Sequence, residues 1–371
     1  MKKKKIIRAS TVPESLTSFC QGMLRELSDE YEVVAVSSPG DSLEKVAQQE
    51  GVRVIAVPMQ RHISLMSDLR SLWLMWKVMR KEKPVMVHSM TPKAGLICMM
   101  SAWLARVPRR VHTFTGLVWP TATGIKRRVL MATDWLTCAC ATHVIPEGEG
   151  VKNDLLSHHL THKPIKVLGY GNVKGIDLDH FKPQPSAPHQ GFTFVFVGRI
   201  VRDKGINELV AAFDRLHEEF KDVRLVLVGR REDTLDPVSP ATLERIARGN
   251  GIEAVGNQSD VRPFYAAADA LVFPSYREGF PNVVIEAGAM GLPSIVTDIN
   301  GSREIIINGQ NGVIVPSQDK EALYQAMRDF VTRPDEVARL ASNARDLVAS
   351  RFEKGFVRRC LYDFYHEILN D

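Results

Sequence analysis

Short, almost wholly apolar runs alternate along the chain with longer stretches in which apolar positions recur every three or four residues. In the first half KKIIRAS, YEVVAVSS, VRVIAVP, VMVHSM, RVHTFTG and THVIP read as strands. Between them SFCQGMLREL, LEKVAQQEG, DLRSLWLMWKVMRKE, KAGLICMMSAWLA and KRRVLMATDWLTCA carry the helical period. KPIKVLGYG is expected to add a last strand. Strands apolar on both faces and separated by helices predict a parallel sheet covered on both sides.

The segment GIDLDHFKPQPSAPHQG has three prolines and no apolar period, and reads as a linker. The alternation then restarts. FTFVFVGRI, VRLVLVGR, IEAVGN, ALVFPSY and PSIVTDI are strand candidates; INELVAAFDRLHEEF, ATLERIARGNG and FPNVVIEAGAMG are helical. The second half repeats the architecture without repeating the sequence. Two doubly wound α/β domains, 1–180 and 181–354, are therefore expected to face a cleft, with ligands at the carboxyl ends of the strands. A length of 371 residues also exceeds one ordinary core. From about residue 319 the chain is helical, and the helix near 355–371 is expected to pack back on the first domain.

No apolar run reaches the 18 or so residues of a membrane span. MKKKK leads into IIRASTV, a first strand rather than the apolar core of a signal peptide. Cysteines at 20, 98, 138, 140 and 360 suit a reduced, cytoplasmic protein, and Cys138-Ala-Cys140 lacks a second ligand pair for zinc. The net charge of +5 conceals an asymmetry: residues 1–180 carry +9 and the remainder −4. Between Arg53 and Arg128 stand 14 basic residues and two acids, Asp68 and Glu82. The cations flank apolar helical runs in SLWLMWKVMRKEK, LARVPRR and GIKRRVLM, the composition of a surface that lies on an anionic membrane. No recognition helix or basic–aromatic strand motif points to nucleic acid.

The chemistry collects in the second half. In FTFVFVGRIVRDKGINELV a strand ends at Gly198, Arg199 and Lys204 follow, and a helix opens near Ile206. Strand, glycine turn and helix present backbone N–H groups to a phosphate, Arg adds a planar fork and Lys a point charge. Neither G-x-G-x-x-G nor G-x-x-x-x-G-K-[ST] occurs, which argues against a dinucleotide fold or a P-loop. In SYREGFPNVVIEAGAMG, Glu278 falls in a loop after a strand, Pro281 suits a first helical turn, and Glu286 lies a turn or more inside the helix. The small residues of that helix suit close packing on the sheet. Gly301 and Ser302 precede another helix start.

These segments, GRIVRDKG and PSYREGFPNVVIEAGAMGLPSIVTDINGSREII, resemble the nucleotide-sugar half of the GT-B glycosyltransferases of family 4. GNQSDVRPFYAAADALVFPSYREGFPN, GIDLDHF and HSMTPKAGLICMMSAWLARVPRRVHTFTG are similar to the same family, above all to members that build capsules, O-antigens and lipid-linked glycans. The resemblance implies a GT-B fold, an acceptor-binding first domain and a nucleotide-sugar-binding second one. It implies that Gly198, Arg199 and Lys204 hold a donor diphosphate and that Glu286 accepts from ribose hydroxyls. Glu278 and the backbone of Gly279, Phe280, Pro281, Asn282 and Val283 would lie by the donor sugar, and Gly256 and Asn257 by the base. Catalysis would rest on Glu278, Arg199 and Lys204, with no metal and no cofactor beyond the donor.

The resemblance further implies retaining transfer of an N-acetylhexosamine from a UDP-sugar to a polyprenyl-diphosphate-linked acceptor, at the cytoplasmic face of a bacterial membrane. A sugar-nucleotide epimerase or hydrolase, and transfer to a soluble acceptor, stay open as alternatives. The first half departs from the family. Ala9-Ser10-Thr11-Val12 stands where many relatives have a Gly-Gly turn, and Thr115 where many have a histidine. His112 and His88 are expected to be packed strand residues, while Lys93 at a helix start is a candidate for an acceptor diphosphate.

Overall fold

The structure, a computed structural model, describes residues 3–60, 64–185, 190–232, 234 and 236–370. The chain divides into two compact units, Met1–Lys174 with Gly355–Asp371, and Gly175–Lys354.

In the first unit the parallel strands β1 (Lys5–Ala9), β2 (Glu32–Ser37), β3 (Arg53–Ala56), β4 (Met86–Met90), β5 (Arg109–Phe114) and β6 (His143–Pro146) form one sheet in the order β3-β2-β1-β4-β5-β6. The order reverses between β1 and β4, so the segments leaving these neighbours diverge and open a crevice at their carboxyl ends. Successive strand residues sort to opposite faces. Ile7, Val34 and Val87 join a core with the helices Leu65–Glu82, Pro92–Leu104 and Gly124–Cys140. Ile6, Val33 and Met86 join another with Pro13–Cys20, Met23–Glu30, Asp41–Glu50 and the helix Lys354–Asn370.

From Gly355 onward that last helix belongs to the first unit. Leu361, Phe364, Tyr365 and Ile368 are buried in the second of these cores. Arg109 donates to the Ile368 carbonyl at 2.5 Å, and Arg358 donates to Glu26 and to the Gln21 carbonyl. Arg8, wholly buried on β1, donates to the Tyr365 hydroxyl at 2.5 Å.

In the second unit β7 (Thr193–Val197), β8 (Arg224–Val228), β9 (Ile252–Gly256), β10 (Ala270–Phe273), β11 (Ser294–Thr297) and β12 (Gly312–Val315) form a parallel sheet in the order β12-β11-β10-β7-β8-β9. Counted within its own unit this is the strand order of the first sheet, with the reversal now between β7 and β10. The helix Ile206–Glu219 buries Leu209, Phe213 and Leu216 on it, and Asp319 caps the helix Lys320–Thr332 by accepting from Glu321 N–H and Ala322 N–H.

Several expectations change. KPIKVLGYG forms no strand: the sheet ends at β6, no ladder pairs with this segment, and its last residues turn, with Gly169 and Gly171 at positive φ values of 57° and 89°. SFCQGMLREL spans two helices, because Gly22 turns left-handed between them. The helix Glu149–Ser157 and the strand β12 escaped the pattern, the latter being a four-residue run between Asn311 and Pro316. Pro281 stands just outside its helix, as the cap of Asn282–Ala289. Gly288 of that helix meets another helix rather than the sheet: a β carbon there would stand 2.6 Å from Val348 of Pro334–Phe352. The expected linker is partly fastened down. Ile176 is buried and pairs with Glu353, while Arg345 donates to the carbonyls of Leu178 and Phe181 at 3.0 and 2.8 Å. Residues 186–189 of that segment lie outside the described residues, and the division falls at 174/175 rather than at 180.

Candidate functional site

At the reversal point of the second sheet, the turn after β7 meets the loop after β10. Arg202–Lys204 form a single 3-10 turn that leads into the helix Ile206–Glu219. The Lys204 ammonium donates to the Glu278 carboxylate, and Ser275 Oγ donates to the same Glu278 oxygen at 2.9 Å. Both side chains of the pair are more than four-fifths buried. Further bonds lace the two segments: Tyr276 N–H to the Asp203 carbonyl at 2.8 Å, Arg277 Nε to the Asp203 carboxylate at 3.2 Å, and Tyr276 Oη to Glu208 at 2.7 Å. Lys204 and Glu278 are thus brought together by neighbouring strands, 74 residues apart in sequence.

Gly279, Phe280 and Pro281 are buried where the loop enters its helix, and Phe280 sets its ring edge on Phe352 at 5.4 Å. Val283 and Glu286 follow within the helix, next to the buried Tyr265, whose hydroxyl donates to Glu286 at 3.3 Å and lies 3.3 Å from the Val283 carbonyl. Burial pushes the Tyr265 phenol well above its ordinary pKa, and the Glu286 carboxylate pushes the same way. Tyr265 therefore remains a hydroxyl donor that orients Glu286. Asn282 opens the helix, and Gly301 precedes the short helix Ser302–Ile305.

A second group of expected residues lines a cavity of about 480 Å³ at the ends of β7, β8 and β9. Gly198, Arg199 and Asn257 are on its wall with Arg230 and Gln258, and Gly256 ends the neighbouring strand. Arg230, Gln258, Ser275 and Tyr265 were missed from sequence. Arg230 alone carried a signal there, as a basic residue following a strand-terminal glycine. No cluster of three metal-ligating side chains occurs among the described residues.

The crevice between β1 and β4 of the first unit holds a cavity of about 360 Å³, walled by Val12, Leu96 and Leu130 and edged by Thr11, Thr91 and Lys93. Thr91 has φ 72° and ψ 143°, a conformation ordinarily reserved for glycine. Thr11 holds it there: its N–H donates to Thr91 Oγ1 at 3.1 Å, and the two hydroxyls lie 2.8 Å apart. Lys93 is at the start of the helix Pro92–Leu104, but its ammonium is engaged by Asp68 at 2.5 Å.

His112 and His88 are buried among strand neighbours. His112 Nδ1 lies 2.9 Å from Ser89 Oγ, its ring fills the space beside Gly95, and desolvation pushes its pKa down to about 3. His88 lies between Thr113 Oγ1 at 2.7 Å and the Tyr365 hydroxyl at 2.5 Å, with its pKa well below the usual value through burial and the nearby Arg8 charge. Neither is poised to take a proton near neutral pH. Thr115 is half-buried.

On the outer side of the same unit, large apolar side chains are exposed on three helices: Leu65, Met66 and Trp73 on Leu65–Glu82, Trp103 on Pro92–Leu104, and Ile125 and Trp135 on Gly124–Cys140. Lys77 places its ammonium 3.3 Å from the Trp73 ring centre. The two acids of this basic stretch are both engaged, Asp68 by Lys93 and Glu82 by Arg53 and Lys5. No described helix is long and apolar enough to cross a membrane.

Residues 191–333 match the family model described as glycosyl transferases group 1, and residues 17–171 the one described as glycosyl transferase 4-like domain. The chain is 31% identical to the capsular polysaccharide biosynthesis glycosyltransferase CapM of Staphylococcus aureus, over 100% of this chain and 99% of that protein. It is 27% identical to the UDP-Gal:alpha-D-GlcNAc-diphosphoundecaprenol alpha-1,3-galactosyltransferase of Escherichia coli, over 82% and 81%. Among solved structures, Anabaena HepE in complex with UDP superposes with a TM-score of 0.80 at 16% identity, covering 98% of this chain and 100% of that one.

Proposed function

The chain belongs to the family 4 glycosyltransferases of the GT-B fold, and from that premise we propose that it moves an N-acetylhexosamine from a UDP-sugar to a polyprenyl-diphosphate-linked acceptor in surface polysaccharide assembly. The observation that carries the reading is the meeting of Lys204 and Glu278 at the strand-order reversal of the second unit, beside the cavity lined by Arg199. As the sugar leaves with retention, negative charge grows on the departing phosphate. Arg199 and Lys204 stabilise that charge more than the ground state, which is what accelerates a step. Glu278 accepts from hydroxyls of the sugar, and Glu286, held by Tyr265, from those of the ribose; an ionised carboxylate is acceptor-only. Two cations and a helix start do the work of a metal.

The acceptor side of the reaction falls to the first unit. Its crevice between β1 and β4 combines apolar walls with the Lys93–Asp68 pair, and the exposed tryptophans among cations lie on helices that border it. Aromatic and aliphatic side chains among lysines and arginines favour an anionic bilayer surface. The reading places the protein against the cytoplasmic face of the membrane, within reach of a lipid-linked substrate. The names of two relatives support it, one a capsule enzyme and the other acting on a diphosphoundecaprenol.

A thermal-shift screen of UDP-, GDP- and ADP-sugars tests the donor. UDP-N-acetylhexosamines should raise the melting temperature, and turnover should then require a polyprenyl-diphosphate saccharide. Stabilisation by a GDP- or ADP-sugar alone would sink the donor assignment, and consumption of the donor without acceptor would favour an epimerase or hydrolase.

A further inference from the structure

Two adjacent strands of the second unit end alike. β7 runs into Gly198-Arg199 and β8 into Gly229-Arg230, and the register pairs Val197 with Val228, so the two Gly-Arg steps lie side by side. Gly198 N–H donates to the Val228 carbonyl and Ile200 N–H to the Arg230 carbonyl, each at 2.9 Å, while Gly229 N–H reaches the Gly256 carbonyl at the end of β9 at 2.8 Å. The steps are too close for a side chain. Gly229 has φ 148°, and a β carbon on it would stand 1.9 Å from the Gly198 carbonyl oxygen. The first side chain to emerge from each strand end is therefore an arginine, and both arginines line the cavity of about 480 Å³ with Asn257 and Gln258.

We propose that Arg230 selects the nucleobase of the donor by donating to a carbonyl on the edge of the base; this rests on the nucleotide-sugar reading above. The order of the strands carries the argument. β8 lies between β7 and β9. Arg230 accordingly stands between Arg199, assigned to the diphosphate, and Asn257, assigned to the base. The diphosphate already has Arg199 and Lys204, and Arg230 is one strand further toward β9. A guanidinium carries five N–H donors and no acceptor. It matches uracil, which offers two carbonyl oxygens; adenine offers none, and its exocyclic amine is itself a donor. A site that must leave a polar group unpaired rejects the wrong ligand strongly.

The fork is available for this work. Arg230 is 68% exposed, and its partner in the structure is Glu232 at 3.3 Å, a contact that the exposure of the guanidinium keeps weak.

The test is calorimetric titration of the full chain with UDP, ADP and inorganic pyrophosphate, for the unaltered protein, Arg230→Ala and Arg199→Ala. Arg230 is a surface residue, so its variant should melt at the same temperature. Arg230→Ala is expected to weaken UDP about tenfold, the scale of one charge-assisted hydrogen bond. It should also narrow the UDP to ADP ratio and leave pyrophosphate unaffected, whereas Arg199→Ala weakens all three together. Equal losses of UDP and pyrophosphate in Arg230→Ala would place the residue on the phosphates and overturn the inference. An unchanged UDP to ADP ratio would overturn it too. Unaltered protein that binds UDP and ADP equally would also overturn it while leaving the donor reading intact. Binding of pyrophosphate but of no nucleotide would take down both.

Discussion

Lys204 and Glu278 form an ion pair that joins the turn after β7 to the loop after β10. The acid holds the cation in place beside Phe273, whose ring centre is 5.2 Å from the ammonium. A diphosphate brought to Lys204 shares that ammonium with Glu278, so the pair sets both the position of the cation and the cost of reaching it. Lys204→Ala should lower kcat/KM by roughly 10²–10³-fold, the scale of losing one preorganised donor at a developing oxyanion. Steady-state donor turnover checks this, and unchanged turnover would remove Lys204 from the site.

The buried Tyr265 places its hydroxyl 3.3 Å from both Glu286 and the Val283 carbonyl, so it can help to orient the acid. Tyr265→Phe should therefore raise the KM for the donor several-fold with little change in kcat, while Glu286→Ala should weaken binding by about tenfold or more. Equal behaviour of Tyr265→Phe and the unaltered protein in donor titrations would show that Glu286 does not depend on it.

Asp134 supplies a pH signature. It is buried in the helix Gly124–Cys140, and desolvation lifts its carboxyl to about 7. Its folded pKa lies above the unfolded value of about 3.9. Its contribution to stability is then fully present below about pH 4 and is lost as pH rises through about 7. Asp134→Asn does not titrate, so the variant should overtake the unaltered protein by on the order of 4 kcal/mol at pH 8, and the gap should close toward pH 4. Urea midpoints at both pH values measure it; parallel curves would contradict the assignment.

Tyr365 joins the helix Lys354–Asn370 to Arg8 and His88 in the interior of the first unit. Tyr365→Phe keeps the ring and removes the oxygen, leaving the guanidinium short of an acceptor. A loss of about 1–3 kcal/mol in unfolding free energy is expected, with donor binding by the second unit unchanged.

The exposed aromatic and basic surface of the first unit predicts recovery with vesicles containing anionic lipid at low salt, and release as salt screens the attraction. Trp73→Ser together with Trp103→Ser should cut the bound fraction about tenfold without altering turnover of a short-chain soluble acceptor. Equal recovery with neutral vesicles would rule out the charge contribution.

Both sheets were legible because strands buried on two faces are continuous apolar runs, and Gly198 or Gly229 marks where such a run stops. The misread segment KPIKVLGYG has the composition of a strand, but whether a neighbouring strand pairs with it is decided by topology, and the sheet ends at β6. Arg199, Lys204, Glu278 and Glu286 could be singled out because each follows a strand end or a helix start. Their contacts could not. Lys204 on Glu278, Tyr265 on Glu286 and Asp68 on Lys93 are partners supplied by topology across tens of residues, and a pattern with a period of two or 3.6 is blind to that distance. The same blindness hid Arg230, which gains meaning only when β8 is known to lie against β7.

The bond between Arg8 and Tyr365 spans 357 residues. A ribosome adding 5–20 residues each second makes the tyrosine roughly 20–70 s after the arginine. Once residue 174 has been added, the first unit has all six of its strands but not the helix that closes one face. The second unit, whose residues are contiguous, is free to fold in the meantime. The first unit is thus begun before the second and completed after it, and in between a guanidinium and an apolar sheet face wait for the helix that carries Tyr365.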